Sequence, residues 1–343
     1  VVAGAGPSLE EAIPALHAIR ADVVLVAVDT ALPRLATEGL LPDVAVALEA
    51  QVANLRDFLP PPSQTLLACE LSSLPSAARL FGSRVCFFSS EFAPLRLFSR
   101  MAGARILPCP FPALGSVGVA AVNAALHMTT GDVYLAGLDF SFPRSLTHAR
   151  GTPYHLSALE QSSRLSPPDM PSFHALAARR RVRTADKNGH AVFSDSVLMS
   201  YRDGLRNVIG RAGSRICDMS PGGLDLGAPR IAGSELMERV RGARDRGMPL
   251  SIGAGPLCSA DKARSFIRAE REALLHGSRL LRDALHSGAL SPECLSFVQE
   301  SDYTWVHFPD SQGWHAGDKG FLARVNAASQ YYAERLGRLE SLL

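Results

Sequence analysis

The residues best suited to chemistry stand at the ends of short apolar runs. Gly4-Ala5-Gly6-Pro7-Ser8-Leu9 follows the run Val1 to Ala3 and precedes a helix-like stretch. Glycines in such a turn let backbone N–H groups approach a ligand, and a helix N-terminus favours an anion. Ser8 and Glu11 have capping-box spacing, so Ser8 is the expected N-cap. The dinucleotide fingerprint needs a third glycine where Leu9 stands, and a P-loop needs Gly-Lys-Ser/Thr; the turn has neither. The next run, "VLVAV", ends at Asp29 and Thr30, and "DVAVAL" leads into Glu49, Gln51 and Asn54. In open α/β sheets, ligands bind outside the carboxyl ends of the strands. Polar residues at three successive strand ends fit that rule, although Asp29 reads equally well as an N-cap.

A second group lies further along. Gly115-Ser116-Val117-Gly118 opens a helix of small residues, which feeds the run Asp132 to Leu138, with Asp139 and Phe140 behind it. Thr147-His148-Ala149 follows in a stretch with few apolar runs. Ser116 reads as a helix cap that can also hold a phosphate or carboxylate. His127 and Tyr134 read as packing residues. Arg179, Arg180, Arg181 and Arg183 read as a solvated basic face rather than a phosphate site.

The elements that must position these residues are legible from patterning. Nearly continuous apolar runs ("VVA", "DVVLVAV", "DVAVAL", "TLLAC", "RVCFF", "ARILP", "DVYLAGL") alternate with helical spacing such as Leu9 to Ile19 and Ala120 to Met128. That alternation predicts an α/β fold with a mostly parallel sheet and helices on both faces. Residues 141–195 read as an irregular, lid-like insertion. Residues 195–212 return to helical spacing, and "SRICDMSP" reads as a last strand. Two amphipathic stretches beyond residue 256 predict an antiparallel helical pair. The expected division is residues 1–250 and a C-terminal helical region, 251–343. A second Gly-Ala-Gly-Pro, at 253–256, reads as a hinge or turn.

Bulk properties narrow the class. The chain has 343 residues, 47% hydrophobic and 20% charged, which suits a folded core. A net charge of +2 gives no pull toward nucleic acid. No apolar run approaches the roughly 18 residues that span a bilayer. No secretory leader is evident; Val1 stands inside a strand-like run, which implies sequence upstream. Six cysteines without a CxxC pair read as buried, reduced thiols of a cytoplasmic protein and not as a zinc site.

"VVAGAGPSL", taken with "SVGVAAVNAALHMTTGDVYLAGLDFSF", resembles the bacterial sialyltransferases of the lipooligosaccharide type. The motility accessory factor family is a closer likeness. Its Pro-Asp, Glu-x-Gln, Asp-Phe and Thr-His-Ala elements correspond to Pro42, Asp43, Glu49, Gln51, Asp139, Phe140, Thr147, His148 and Ala149. The resemblance covers about residues 1–235 and includes "ICDMSPGGLDLGAPRI". It implies a Rossmann-like catalytic domain that transfers a nonulosonic acid from its CMP ester to flagellin. The implied general base is His148, with His155 as a weaker candidate and Asp139 as a second catalytic residue. The implied donor site is Gly4, Gly6, Pro7, Ser8, Asp29, Thr30, Glu49, Gln51, Gly115, Ser116 and Thr147, with no metal and no cofactor beyond the CMP-sugar. The helical tail is a candidate oligomer interface.

An archaeal pterin diphosphokinase shares this domain type. It would need paired carboxylates for a metal near position 49, which "VALEAQ" lacks. A third reading is a non-catalytic accessory protein that binds a nucleotide or flagellin.

Overall fold

The structure, a computed structural model, describes residues 1–91, 94–113, 115–243 and 259–343. The Gly-Ala-Gly-Pro at 253–256 therefore lies outside the described residues. The chain divides into two compact units, residues 1–92 with 110–252, and residues 93–109 with 253–343. The short segment 93–109, which patterning assigned to the first domain, thus belongs with the tail.

The first unit runs β1 (Val2–Ala3), α1 (Leu9–Ile19), β2 (Val26–Val28), α2 (Leu32–Thr37), β3 (Val44–Ala47), β4 (Leu66–Glu70), α3 (Pro75–Phe81) and β5 (Val85–Ser90). The chain then enters the second unit through α4 (Arg96–Gly103) and returns at β6 (Pro110–Phe111). Next come α5 (Val117–Met128), β7 (Val133–Ala136), α6 (Pro153–Glu160), α7 (Met170–Ala177), β8 (Arg181–Ala185), β9 (Ala191–Asp195), α8 (Ser196–Ala212), β10 (Ile216–Asp218) and α9 (Gly233–Val240). The sheet order is β10-β7-β1-β2-β3-β4-β5-β6, and every pairing in it is parallel. The α/β class expected from the sequence is therefore the fold.

Strand composition explains this sheet. β2, β3 and β7 are buried at every residue, as strands covered on both faces must be. Tyr134 and Cys217 join Ile19 of α1 and Leu236 and Val240 of α9 in one cluster. Their strand neighbours Val133, Leu135 and Ile216 turn the other way, into the core that contains the buried residues of α5 and α8. α5 is almost wholly apolar and packs across β1, β2, β3 and β7. Its alanines keep it close to the sheet.

Two local expectations fail. "ARILP" is not a strand, because Ala104 closes α4 and the sheet contact comes later, at Pro110 and Phe111. Residues 141–195 are not irregular; they hold α6, α7 and the antiparallel hairpin β8–β9. The alternation of "RVRTA" and "AVFSD" around "DKNG" is a hairpin signal that the arginine content obscures.

The second unit consists of α4, α10 (Ala260–Ser287), α11 (Pro292–Glu300) and α12 (Lys319–Glu340). α10 and α12 are antiparallel: Arg268 pairs with Glu340 at one end, and Ser278 bonds Asn326 at 2.7 Å further along. Phe321 is fully buried, with Trp314 stacked on it at 4.9 Å and Trp305 edge-on at 5.6 Å. Both tryptophans thus pack, partly buried, against the core of the tail. Arg100 of α4 grips Glu270 of α10 through two nitrogens, at 2.6 and 3.0 Å, and Tyr303 Oη donates to the same carboxylate.

Candidate functional site

β1 lies between β2 and β7, so the chain reverses its direction of travel across the sheet at the β1/β7 boundary. Such a switch point leaves a crevice outside the carboxyl ends of its strands. Gly4 to Ser8 leaves β1 on one side of it, and Asp139 follows β7 on the other.

The crevice at this point is filled by the protein itself. Asp139 is 2% exposed and accepts the Ser8 backbone N–H at 2.8 Å; the Ser8 hydroxyl donates to its other carboxyl oxygen. Asp139 therefore caps α1 from 131 residues away. Ser8 makes no side-chain cap of its own, so the capping box with Glu11 does not form. The Gly4 amide goes to Ala136 O, the Gly6 amide to Gly137 O and the Leu9 amide to Gly6 O, all within 2.8–3.0 Å. A Cβ on Gly6 would lie 2.4 Å from Asp139 Oδ2. The glycine is required by close packing of the two turns. Of the amides that would cradle a phosphate, those of Gly4, Gly6, Ser8 and Leu9 are committed inside the protein.

A buried ionic network backs Asp139. Gly223, at φ +92°, presses against it, and a Cβ there would stand 2.7 Å from its Cα. The Lys187 ammonium, at the tip of the β8–β9 hairpin, donates to Asp218 and to Ser220 O at 3.3 Å. Both charged side chains are almost fully buried. Burial pushes the Asp139 carboxyl above the usual carboxylate range, opposed by the Ser8 hydrogen bonds and Lys187.

The Thr147-His148-Ala149 loop is tied to the same turn. The Ala149 amide donates to Ala5 O at 2.9 Å, and the Arg150 amide to Glu10 on α1 at 2.8 Å. His148 Nδ1 sits 3.2 Å from the Thr147 hydroxyl, and its ring lies against Tyr154. Burial, helped by Arg179, pushes the imidazole down to about 4, so it is neutral at physiological pH. Arg179 is held by Asp195 at 2.6 Å and covers the Phe142 ring. Phe140, Arg144 and Ser145 all have positive φ, of 48°, 51° and 62°. Strained non-glycine backbone clusters at functional loops. His155 Nδ1 accepts the Gly151 amide at 3.1 Å, a local role in starting α6.

Two further strand ends supply a second acidic group. Asp29 follows β2 and is 1% exposed. Its Oδ1 accepts the Thr30 amide at 2.8 Å and stands 3.2 Å from the Thr30 hydroxyl. That hydroxyl also lies 3.4 Å from Asp57 Oδ2. Asp57 arrives on the short 3-10 segment Val52–Phe58, and no motif marks it in the sequence. Burial, then the Asp57 charge, pushes Asp29 up to about 7; burial pushes Asp57 up to about 6. The paired carboxylates that "VALEAQ" lacks are therefore assembled from residues 29 and 57. Glu49 and Gln51 are exposed at the end of β3. Ser116 opens α5 without capping it through its side chain, so the first amides of that helix keep no cap from it.

Residues 1–145 match the protein-family model described as 6-hydroxymethylpterin diphosphokinase MptE-like. Across 99% of its length the chain superposes on the MAf glycosyltransferase of Magnetospirillum magneticum AMB-1, with a TM-score of 0.51 and 17% identity, covering 52% of that chain. The two share a fold. An uncharacterized protein of Treponema pallidum (strain Nichols) is 26% identical over 364 residues, covering all of this chain and 62% of its own. A second uncharacterized protein of that strain is 29% identical over 151 residues, 39% of this chain and 37% of its own. The chain thus spans between half and two thirds of the longer matches. The match to that family model over residues 1–145 and the fold shared with the MAf glycosyltransferase agree with the resemblance to the motility accessory factor family read from the sequence. Among the described residues, no helix is long and apolar enough to cross a membrane, and no three side chains group as metal ligands.

Proposed function

We propose that the chain is a metal-independent glycosyltransferase of the cytoplasm, moving a nonulosonic acid from its CMP ester to serine or threonine hydroxyls of flagellin. The observation that carries this reading is the convergence at the β1/β7 switch point. There the Thr147–Ala149 loop is bonded to the Gly4–Ser8 turn, in a fold shared with a MAf glycosyltransferase.

The acceptor oxygen attacks the anomeric carbon, the bond to the CMP phosphate breaks, and the acceptor proton passes to His148. The leaving phosphate needs donors aimed at its oxygens. The Gly4, Gly6 and Ser8 amides are committed, so Ser116 and the first amides of α5, beside Gly115, take that role. Asp29, Thr30, Glu49 and Gln51 line the donor's side. Asp139 positions the turn that holds the His148 loop. A neutral imidazole of low basicity is a weak base. The charge of a bound nucleotide phosphate raises its proton affinity toward the working range.

Incubation with CMP-nonulosonic acids and flagellin, with and without chelator, tests the reading. His148→Ala should cut the transfer rate about 10²- to 10⁴-fold while CMP binding persists. Unchanged transfer in that variant removes the base assignment.

The Asp29–Asp57 pair and the MptE-like match favour one rival, a pterin diphosphokinase using ATP and magnesium. Thermal shifts separate the two. Stabilisation by CMP without magnesium supports the transferase; stabilisation by ATP with magnesium alone supports the kinase.

A further inference from the structure

Thr30 Oγ lies within hydrogen-bond reach of a carboxyl oxygen of both Asp29 and Asp57, at 3.2 and 3.4 Å. A hydroxyl has one proton to give. If both acids were ionised, only one contact would be a hydrogen bond, and two negative charges would share one small buried space. One added proton resolves this.

Its position follows from hydrogen-bond accounting. Asp29 Oδ1 already accepts the Thr30 amide and faces the Thr30 hydroxyl. Asp29 Oδ2 has no partner, and it is the one fully buried carboxyl oxygen of which this is true among the described residues. Other buried acids at the same sheet edge are supplied. Glu70 receives amides from Ser72 and Ser90, at 2.6 and 3.1 Å, and Asp139 and Asp218 receive Ser8 and Lys187. A dry, bare carboxylate oxygen is the most costly arrangement of the group, whereas a hydroxyl there is a donor awaiting an acceptor.

We infer that Asp29 and Asp57 hold one proton between them, resident on Asp29 Oδ2, and that this O–H donates to an unprotonated acceptor of the bound ligand. The ligand chemistry is an acceptor oxygen or ring nitrogen. In the transferase reading, on which the choice of probe rests, it is supplied either by the nucleoside or by the phosphate of CMP. The charges that bear on Asp29 are Asp57 and Glu49 beyond β3, and each disfavours its ionisation, opposed by the two Thr30 hydrogen bonds; burial keeps the nearby Cys69 thiol of β4 neutral. Of the remaining charges on the neighbouring segments, Arg34 and Glu38 pair with each other and Arg56 is exposed. Burial and the Asp57 charge, which place the Asp29 midpoint at about 7, agree with the geometry.

The sign is fixed by linkage. A donor O–H is present below pH 7 and is lost as pH rises through it, so ligand affinity falls by up to about tenfold per unit above that point. Asp29→Asn keeps an acceptor toward Thr30 and places an N–H donor where Oδ2 stood, at every pH. Calorimetry with CMP and with cytidine, from pH 5.5 to 8.5, compares the variant with wild type. The CMP phosphate titrates near pH 6 in both proteins, so the difference between the two proteins is the readout. Wild type should weaken above pH 7 while the variant does not. A difference seen with both probes assigns the acceptor to the nucleoside, and one confined to CMP assigns it to the phosphate. Loss of binding in Asp29→Asn, or magnesium dependence of wild-type binding, overturns the proposal in favour of an ionised, metal-holding pair.

A second readout needs no ligand and survives failure of the transferase reading. An acid whose midpoint is raised on folding gives stability that is present below the ordinary carboxylate value and is lost as pH rises toward 7. Asp29→Asn should therefore gain in melting temperature over wild type between pH 4.5 and pH 8. A constant difference across that range contradicts the shared proton, whatever nucleotide binds.

Discussion

The same edge of the sheet carries two buried acidic clusters, and they are built in opposite ways. Around Asp139, the buried acids are supplied with donors: the Ser8 amide and hydroxyl donate to Asp139 and Lys187 donates to Asp218, while the Gly137 amide donates to the Ser220 hydroxyl oxygen. Around Asp29, two acids compete for one threonine hydroxyl and one oxygen is left bare. The first arrangement is complete without a ligand and fixes the geometry of the switch point. The second is incomplete, and an incomplete buried polar group is where a ligand has something to add.

This contrast can be broken at several points. Lys187→Met should have the largest effect, because it leaves Asp218 buried and unpaired. A loss of roughly 3–5 kcal/mol in urea unfolding is expected, largely recovered by adding Asp218→Leu. A small loss from Lys187→Met alone would mean that the hairpin tip is not an anchor. Gly6→Ala comes next. Its Cβ would meet Asp139 Oδ2 at 2.4 Å and Gly137 O at 2.7 Å, and overpacking of this kind costs roughly 1–3 kcal/mol. A neutral result would reopen the turn as a ligand site. Thr30→Val should be mildest in stability, about 1 kcal/mol. Its sharper signature is a rise of the Asp29 midpoint above about 7, since the Thr30 hydroxyl favours the ionised form; a carboxyl-carbon NMR titration reads it, and a fall would reverse the assignment of the proton.

Much of this architecture is legible in the chain. Leu9 to Ile19 reads as a helix at its observed bounds, and most apolar runs are strands, because both are local patterns. Asp29 and Thr30 are also legible, since a strand end advertises its position. What escapes is assembled over distance. Nothing near Ser8 announces that Asp139 will cap its helix. Asp57 sits in a 3-10 segment with no period, and its partner lies 27 residues away, at Thr30. Lys187, in "DKNG", has the look of a solvated turn, yet folding buries it. Helix capping and charge pairing across a sheet depend on strand order, which local sequence does not encode. The glycines are ambiguous for a related reason: a turn that needs close approach to another turn carries the same residues as one that needs close approach to a phosphate.

A crystal structure with CMP bound tests the account most directly. The expected result has the phosphate at the Ser116 end of α5, an acceptor atom of the nucleotide within hydrogen-bond distance of Asp29 Oδ2, and the Gly6 and Ser8 amides still on Gly137 and Asp139. A phosphate seated in the Gly4–Ser8 turn with Asp139 displaced would contradict it.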